Sequence, residues 1–355
     1  MAKSYARVEK FVQEHPWAIT EAALGSILEV LQLRAEGRMF TDDEIQARVG
    51  AGAAPRERQT LGAVAVIPVF GILAHRMNML TAMSGGTSTE QIAAAFRESM
   101  SDPAVGSVLL DVDSPGGNVF GVEELADEIY QARGQKPIIA VANATAASAA
   151  YWIASQADEV LVTPSGQVGS IGVVAVHVDR SKQAEMLGVR HTLVSAGAHK
   201  TDGSDLAPLD DETRAVMQRR VDLYYGAFTR AVARGRGVTL GEVRAGFGEG
   251  RVVAAADALK LGMVDGVRAI DGVIARLAGG AKSVADGARA ALEPQAPMPS
   301  PEPKETQKDF VDRCMGDGTM NRDYKDPAQR RAVCQKQWEG SAAAAIEEFR
   351  AQLEA

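Results

Sequence analysis

Ser148 and Lys200 are the residues of this sequence best suited to covalent chemistry. Ser148 stands in a run of small residues, Ala146-Ala147-Ser148-Ala149-Ala150, with Ser114-Pro115-Gly116-Gly117 upstream and Gly169-Ser170-Ile171-Gly172 between the pair. Acyl transfer to serine needs a hydroxyl nucleophile on a crowded turn, N–H groups open to a developing oxyanion, and a base. These segments and Lys200 supply all three. The pattern predicts a serine peptidase with a lysine base.

The groups must be held by strands and helices, and the chain supplies both. Short β-branched runs at 64–70, 108–112, 137–141, 160–162, 171–176 and 191–194 alternate with helical periods. One such helix, expected over 89–100, opens at Ser88 with Gln91 three residues on, a capping-box pattern, and buries Ile92, Phe96 and Met100. Alternation of this kind implies an α/β fold with a parallel or mixed sheet between helices. A longer helix over 211–234 carries Met217, Val221, Tyr224 and Phe228 on one stripe, suited to a core face or a subunit contact.

Within that frame each residue acquires a role. Ser148 follows the 137–141 strand and is expected near the start of a helix containing Tyr151, Trp152 and Ile153. Unpaired N–H groups and a positive dipole end lie at that position. Gly116 and Gly117 follow the 108–112 strand and leave the backbone accessible. Gly117 is therefore the expected oxyanion donor, with the N–H of Ala149 as the second. Lys200 ends the loop Ser195-Ala196-Gly197-Ala198-His199. A lysine amine is largely protonated at neutral pH, so a base role requires desolvation by substrate or by a neighbouring subunit. Ser170 is the residue expected to hold the amine.

Taken singly, a serine among alanines packs a helix, a diglycine makes a turn and a loop lysine is solvated. Together they weaken those readings, because four loops carry suitable groups after successive strands. A serine–histidine arrangement through His199 ranks second, because no aspartate stands out to orient that ring. The five histidines are scattered at 15, 75, 177, 191 and 199, and the cysteines have no histidine near them in the tail, which argues against a metal site. No cofactor is implied.

Composition limits the alternatives. With 355 residues and a hydrophobic fraction of 46% the chain can build a full core, and a net charge of -8 argues against nucleic acid as a partner. No apolar run has the length of a bilayer span or the form of a signal peptide, and Cys314 and Cys334 both fall in the tail. The expectation is a soluble protein in a reducing, cytoplasmic compartment, without a membrane partner. Composition shifts divide the chain into a helical lead-in and linker at 1–60, a catalytic domain at 61–280, an Ala/Pro-rich linker at 281–303 and a small helical module at 304–355. In that module Cys314, Cys334 and Trp338 are expected to pack between a pair of helices.

Ser114-Pro115-Gly116-Gly117, Ala147-Ser148-Ala149-Ala150-Tyr151, Gly169-Ser170-Ile171-Gly172-Val173, Lys200 and the closing 258–265 segment ALKLGMVD resemble the signal peptide peptidase A family of serine–lysine proteases over residues 61–280. The resemblance implies a crotonase/Clp-protease-like superhelix of β-β-α units, with Ser148 as nucleophile, Lys200 as general base, Gly117 at the oxyanion hole and Ser170 beside the lysine. It further implies a homo-oligomeric ring in which adjacent subunits supply serine and lysine. The lead-in containing Pro16-Trp17-Ala18-Ile19, and the tail segments 309–315 and 329–334 with Trp338, resemble the tailed-phage capsid assembly branch. The expected activity is cleavage of phage scaffold, portal or capsid proteins within an assembling prohead in the host cytoplasm. A host cytoplasmic peptidase and a non-catalytic assembly scaffold are the alternatives.

Overall fold

The computed structural model describes residues 11–13, 15–35, 58–76, 86–278, 299, 301–302, 305–323 and 326–339. Residues 36–57 of the expected lead-in and linker, and most of the 281–303 spacer, lie outside them. The chain forms two compact units, Met1–Ala281 and Lys282–Ala355.

The first unit is a mixed α/β fold. In chain order the elements are β1 (Trp17–Ile19), α1 (Glu21–Ala35), β2 (Gln59–Leu61), β3 (Val64–Phe70), α2 (Thr89–Ser101), β4 (Ser107–Ser114), β5 (Gly116–Asn118), α3 (Val122–Gln131), β6 (Ile138–Ala147), α4 (Ala149–Ala154), β7 (Glu159–Val162) and β8 (Gln167–Gly169). They continue as α5 (Ser181–Met186), α6 (Asp211–Arg236), α7 (Leu240–Gly246), β9 (Val252–Ala254), α8 (Ala255–Lys260), β10 (Gly266–Val267) and α9 (Ile270–Ala278).

The main sheet runs β10-β7-β6-β4-β3-β2, parallel except for the antiparallel edge strand β2. Parallel neighbours need a crossover, and helices α2, α3 and α4 occupy those connections. Both sheet faces are covered, which explains why β3, β4 and β6 are near-continuous apolar runs. One face packs Ile67, Val69, Leu110 and Ala140 with Phe96, Leu125, Trp152 and Phe228; the other packs Val64, Leu109, Val141 and Leu161 against Val273 of α9. Trp152 stacks on Phe228 of the long helix α6, with ring centroids 4.7 Å apart and planes inclined by 6°. Asp210 caps α6 by accepting the Thr213 N–H at 2.7 Å, and the expected Ser88–Gln91 capping box opens α2.

Strand β6 divides its pairing. Its first half pairs with β7 and its last residues, Thr145, Ala146 and Ala147, pair with β8. The register between β4 and β6 also shifts between Val112 and Ser114. These irregularities fall where the sequence carries its diglycine and its serine.

Three expectations differ from the structure. Residues 17–19, read as part of a helical lead-in, form strand β1, which pairs antiparallel with β5. Its neighbour α1 packs Leu24, Ile27, Val30 and Leu31 with Trp17, Ile19 and Ile72. The stretches 171–176 and 191–194 form no strands beyond a single bridge at Val174, and Leu193 and Val194 are exposed. Among the described residues the first run meets only β1, at Val174, and the second meets no strand, so β-branched composition alone does not make either a strand.

The second unit contains α10 (Gln307–Gly316), α11 (Gly318–Asp323) and α12 (Pro327–Glu339), three helices where a pair was expected. Phe310, Val311, Met320 and Trp338 form its core with Cys314 and Cys334, which are joined in a disulfide. Closing a loop of 20 residues stabilises such a small core by about 3 kcal/mol.

Candidate active site

Ser148 sits at the turn from β6 into α4 and is completely buried. Its backbone is in an unusual conformation, φ 54° and ψ −119°. A side chain at positive φ carries a steric cost of about 1–3 kcal/mol, sustained only when the surroundings fix it. Here they do: the Ser148 N–H donates to the Gly169 carbonyl at 2.7 Å, and the Ser148 carbonyl accepts the Trp152 N–H at 2.9 Å. Trp152, Tyr151 and Ile153 are wholly buried behind it. The Ser148 hydroxyl points to the Gly172 carbonyl at 3.4 Å. Ala149 opens α4, where the first N–H groups have no acceptor within the helix.

Gly116 and Gly117 form the start of β5 and need to be glycine. Gly116 has φ +97°, and a Cβ there would lie 2.2 Å from the Ala18 oxygen and 2.9 Å from the Ser148 Cβ. A Cβ on Gly117 would lie 1.9 Å from the Leu73 oxygen. The Leu73 N–H donates to Gly116 and the Asn118 N–H donates back to Leu73, so one edge of β5 is fixed against residue 73. Ser114 tightens the same turn: its hydroxyl donates to Gly71 at 2.6 Å and accepts the Gly116 N–H at 3.1 Å.

Ser170 lies on the third segment, again at positive φ (53°), with its N–H bonded to Arg251. The structure thus brings Ser148, Gly116, Gly117, Ala149 and the 169–172 backbone together. Lys200 is elsewhere. It is exposed and lines a cleft of about 1020 Å³ with His177, Arg180, His199, Asp205 and Glu212 among others, and neither Ser148 nor Ser170 lines that cleft. Among the described residues no hydrogen bond joins Lys200 to Ser148 or Ser170. His199 does have a partner that sequence reasoning did not identify: its Nδ1 lies 3.0 Å from Asp202 Oδ2, on the exposed loop.

Tyr151 braces the floor of the site by donating to the Met263 carbonyl at 2.7 Å. Burial pushes its phenol well above the ordinary tyrosine range, so the hydroxyl stays neutral and available as a donor. Sequence reasoning missed one contributor. Strand β1 lies beside the diglycine and is also bridged to Val174, so Trp17, Ala18 and Ile19 are part of this site. The only available indication was Pro16-Trp17-Ala18-Ile19 itself, too short for a period-2 pattern to stand out.

The fold and the site define a mixed α/β chain with a strained, buried serine between a strand and a helix, beside a diglycine. Residues 131–284 match Peptidase family S49, and the resemblance drawn from the motifs stands. The chain is 38% identical over 222 residues to the head-tail preconnector protein GP5 of Enterobacteria phage P21, covering 62% of this chain and 44% of that protein. It is 34% identical over 223 residues to capsid assembly protease C of Escherichia phage lambda, covering 63% and 49%. The chain therefore spans about half the length of these relatives. A solved membrane-bound stomatin-specific protease mutant aligns over 63% of this chain and 88% of its own, at 16% identity and a TM-score of 0.39.

Proposed function

We propose that this chain is a serine endopeptidase that processes phage head proteins, such as scaffold, portal or capsid precursors, during capsid assembly. The observation that carries the reading is Ser148, strained and buried at the strand–helix junction beside Gly116-Gly117. The relatives named above, one a capsid assembly protease, support the choice of substrate.

In the proposed reaction Ser148 Oγ attacks the scissile carbonyl and its proton passes to the Lys200 amine. The Gly117 and Ala149 N–H groups stabilise the oxyanion, with Gly116 leaving room for the substrate backbone. The protonated lysine then donates to the leaving amine as the C–N bond breaks; water attacks the acyl-serine with Lys200 again accepting a proton, which it returns to the Ser148 oxygen as the ester bond breaks and the acid leaves. Ser170 positions the amine. Residues 61–280 form the protease domain, with 1–60 as lead-in, 281–303 as linker and 304–355 as an accessory module, and the β-β-α units follow the crotonase/Clp-like superhelix.

Lys200 reaches Ser148, on this reading, from an adjacent subunit in a homo-oligomeric ring in the host cytoplasm. The support is the exposed apolar side chains on the segments that precede it: Met186, Leu187, Leu193 and Val194 are exposed, Val194 by 93%, and Leu193 lines the same cleft as Lys200. Exposed apolar residues that gather into a patch mark a surface that a partner covers. No helix among the described residues is long and apolar enough to cross a membrane. The test is labelling with a fluorophosphonate together with digestion of a disordered protein substrate. Wild type should label at Ser148 and cleave, and Ser148→Ala should do neither; a Ser148→Ala chain that still cleaves would remove the serine from the mechanism.

A further inference from the structure

Strand β1 is hydrogen-bonded along both edges. On one edge Trp17, Ala18 and Ile19 are in register with Asn118, Gly117 and Gly116. The flanking bonds run from the Thr20 N–H to Pro115 (3.0 Å) and from the Val119 N–H to Pro16 (3.4 Å). In an antiparallel ladder, bonds placed this way enclose a hydrogen-bonded pair, so Ala18 and Gly117 face each other as the pair that exchanges N–H···O=C bonds. On the other edge the Trp17 N–H donates to Val174 (2.8 Å) and the Val174 N–H donates to Trp17 (2.9 Å). The Ala18 carbonyl is thus turned to the Gly117 N–H, on the spot above Gly116 that the Ser148 Cβ also borders.

We propose that residues 16–20 are a built-in occupant of the peptide groove, held as an extended substrate would be, and that an external substrate must displace them. The inference rests on the protease reading of Ser148. Two-edged strand addition is a standard way to hold an extended peptide, with main-chain bonds giving affinity and alternate side chains giving selectivity. The alternation is visible here. Trp17 and Ile19 turn into the cluster with Val12, Ile27 and Ile72, whereas Ala18 joins the main core with Ala146, Ala149 and Ala150. The residue that presents its carbonyl to Gly117 therefore has its side chain in a closed space that a methyl group fills. The substrates this groove takes are extended segments with a small residue at that position.

Trp17 is the anchor. It is fully buried, its indole N–H donates to the Val12 carbonyl at 3.0 Å, and Phe11 packs edge-on to it at 5.7 Å. A tethered occupant competes at an effective concentration in the millimolar range, well above that of a dilute substrate.

The test uses the full chain with Trp17→Ala, which removes the anchor, and Ala18→Pro, which removes the N–H paired with Gly117 while leaving Trp17 and Ile19. Two readouts are taken: hydrolysis of a disordered protein substrate, and amide exchange over 116–119 and 172–176. Displacing a tethered competitor should raise kcat/KM about tenfold or more, mainly through KM, and speed exchange in both segments. A synthetic peptide of residues 13–20 should restore protection and inhibit both variants, and the same peptide with leucine in place of Ala18 should do so at least tenfold less well. Unchanged or lower kcat/KM and unchanged exchange, in variants that keep native circular dichroism and label with fluorophosphonate, would make β1 a fixed strand and overturn the proposal. If neither wild type nor variants cleave or label, the protease reading fails instead. Occupancy is then decided by exchange and peptide competition alone, and no response to the peptide overturns it. Should a variant unfold, peptide inhibition of the other decides.

Discussion

Gly116 touches Ser148: a methyl group built on the glycine would stand 2.9 Å from the serine Cβ, 3.0 Å from the Ala147 oxygen and 2.2 Å from the Ala18 oxygen. Two of these three contacts are to backbone atoms, which cannot swing aside as a flexible side chain could. Gly116→Ala should therefore move the strand that presents Gly117, destabilising the fold by about 1–3 kcal/mol. If Gly117 serves as oxyanion donor, kcat should also fall by about 10² or more. Gly62→Ala is the control: it too has positive φ, but meets nothing within 4 Å, so it should cost about 1 kcal/mol of stability and no activity. Urea denaturation and substrate hydrolysis on both variants check the pair.

The site was legible where chemistry and local geometry coincide in sequence. Ser148 among alanines after a β-branched run, and a diglycine after another, each fall at the end of a strand in the parallel sheet. The capping box at Ser88 and Gln91 and the α6 stripe were likewise readable, because each is a local pattern of fixed period. Contacts across long sequence distance were not. Ala18 meets Gly117 only through tertiary pairing of a three-residue strand, and nothing in residues 16–20 encodes its partner. The 171–176 and 191–194 runs show the opposite error: their composition is strand-like, but 171–176 pairs only at Val174, with Trp17 of β1, and 191–194 pairs with no strand among the described residues.

The backbone at Ser148 gives a second test. With φ 54° and ψ −119°, the position suits glycine, and any side chain there is held against its preference. Ser148→Ala and Ser148→Gly should both be inactive, losing on the order of 10⁶ in kcat as expected for removal of a nucleophile. They should differ in stability. The glycine variant relieves the strain and should unfold at a higher urea concentration than the alanine variant, by about 1 kcal/mol. Equal midpoints would mean that the conformation carries no strain.

Tyr151 links the site to alkaline stability. Burial raises its phenol above the ordinary value, so the folded chain retains this proton when the unfolded chain has lost it. The sign follows from linkage: stability from this group is complete below the unfolded tyrosine value of about 10 and declines as pH rises beyond it. Tyr151→Phe should cost about 1 kcal/mol at neutral pH through loss of the bond to Met263. The variant should also show a shallower decline of stability between about pH 10 and 11 than wild type. Denaturant melts across that range would give both quantities, and parallel slopes would mean that the phenol is not shielded.

Lys200 is exposed on its loop and Ser148 is buried at the end of β6, and among the described residues no hydrogen bond joins them. If the lysine acts on the serine of a neighbour, the apolar residues near it, Leu193 and Val194, are the surface that closes. Complementation tests this directly. Ser148→Ala and Lys200→Met chains should each be inactive alone. Mixed in equal amounts and allowed to exchange subunits, they leave about one interface in four with an intact serine facing an intact lysine, so about a quarter of wild-type activity should return. His199→Ala should keep most of its activity, since the His199–Asp202 pair has no place in the proposed proton transfer. Mixed assemblies verified by light scattering that remain wholly inactive would place both groups in one chain, and the 197–204 loop would then have to fold over Ser148 within the subunit.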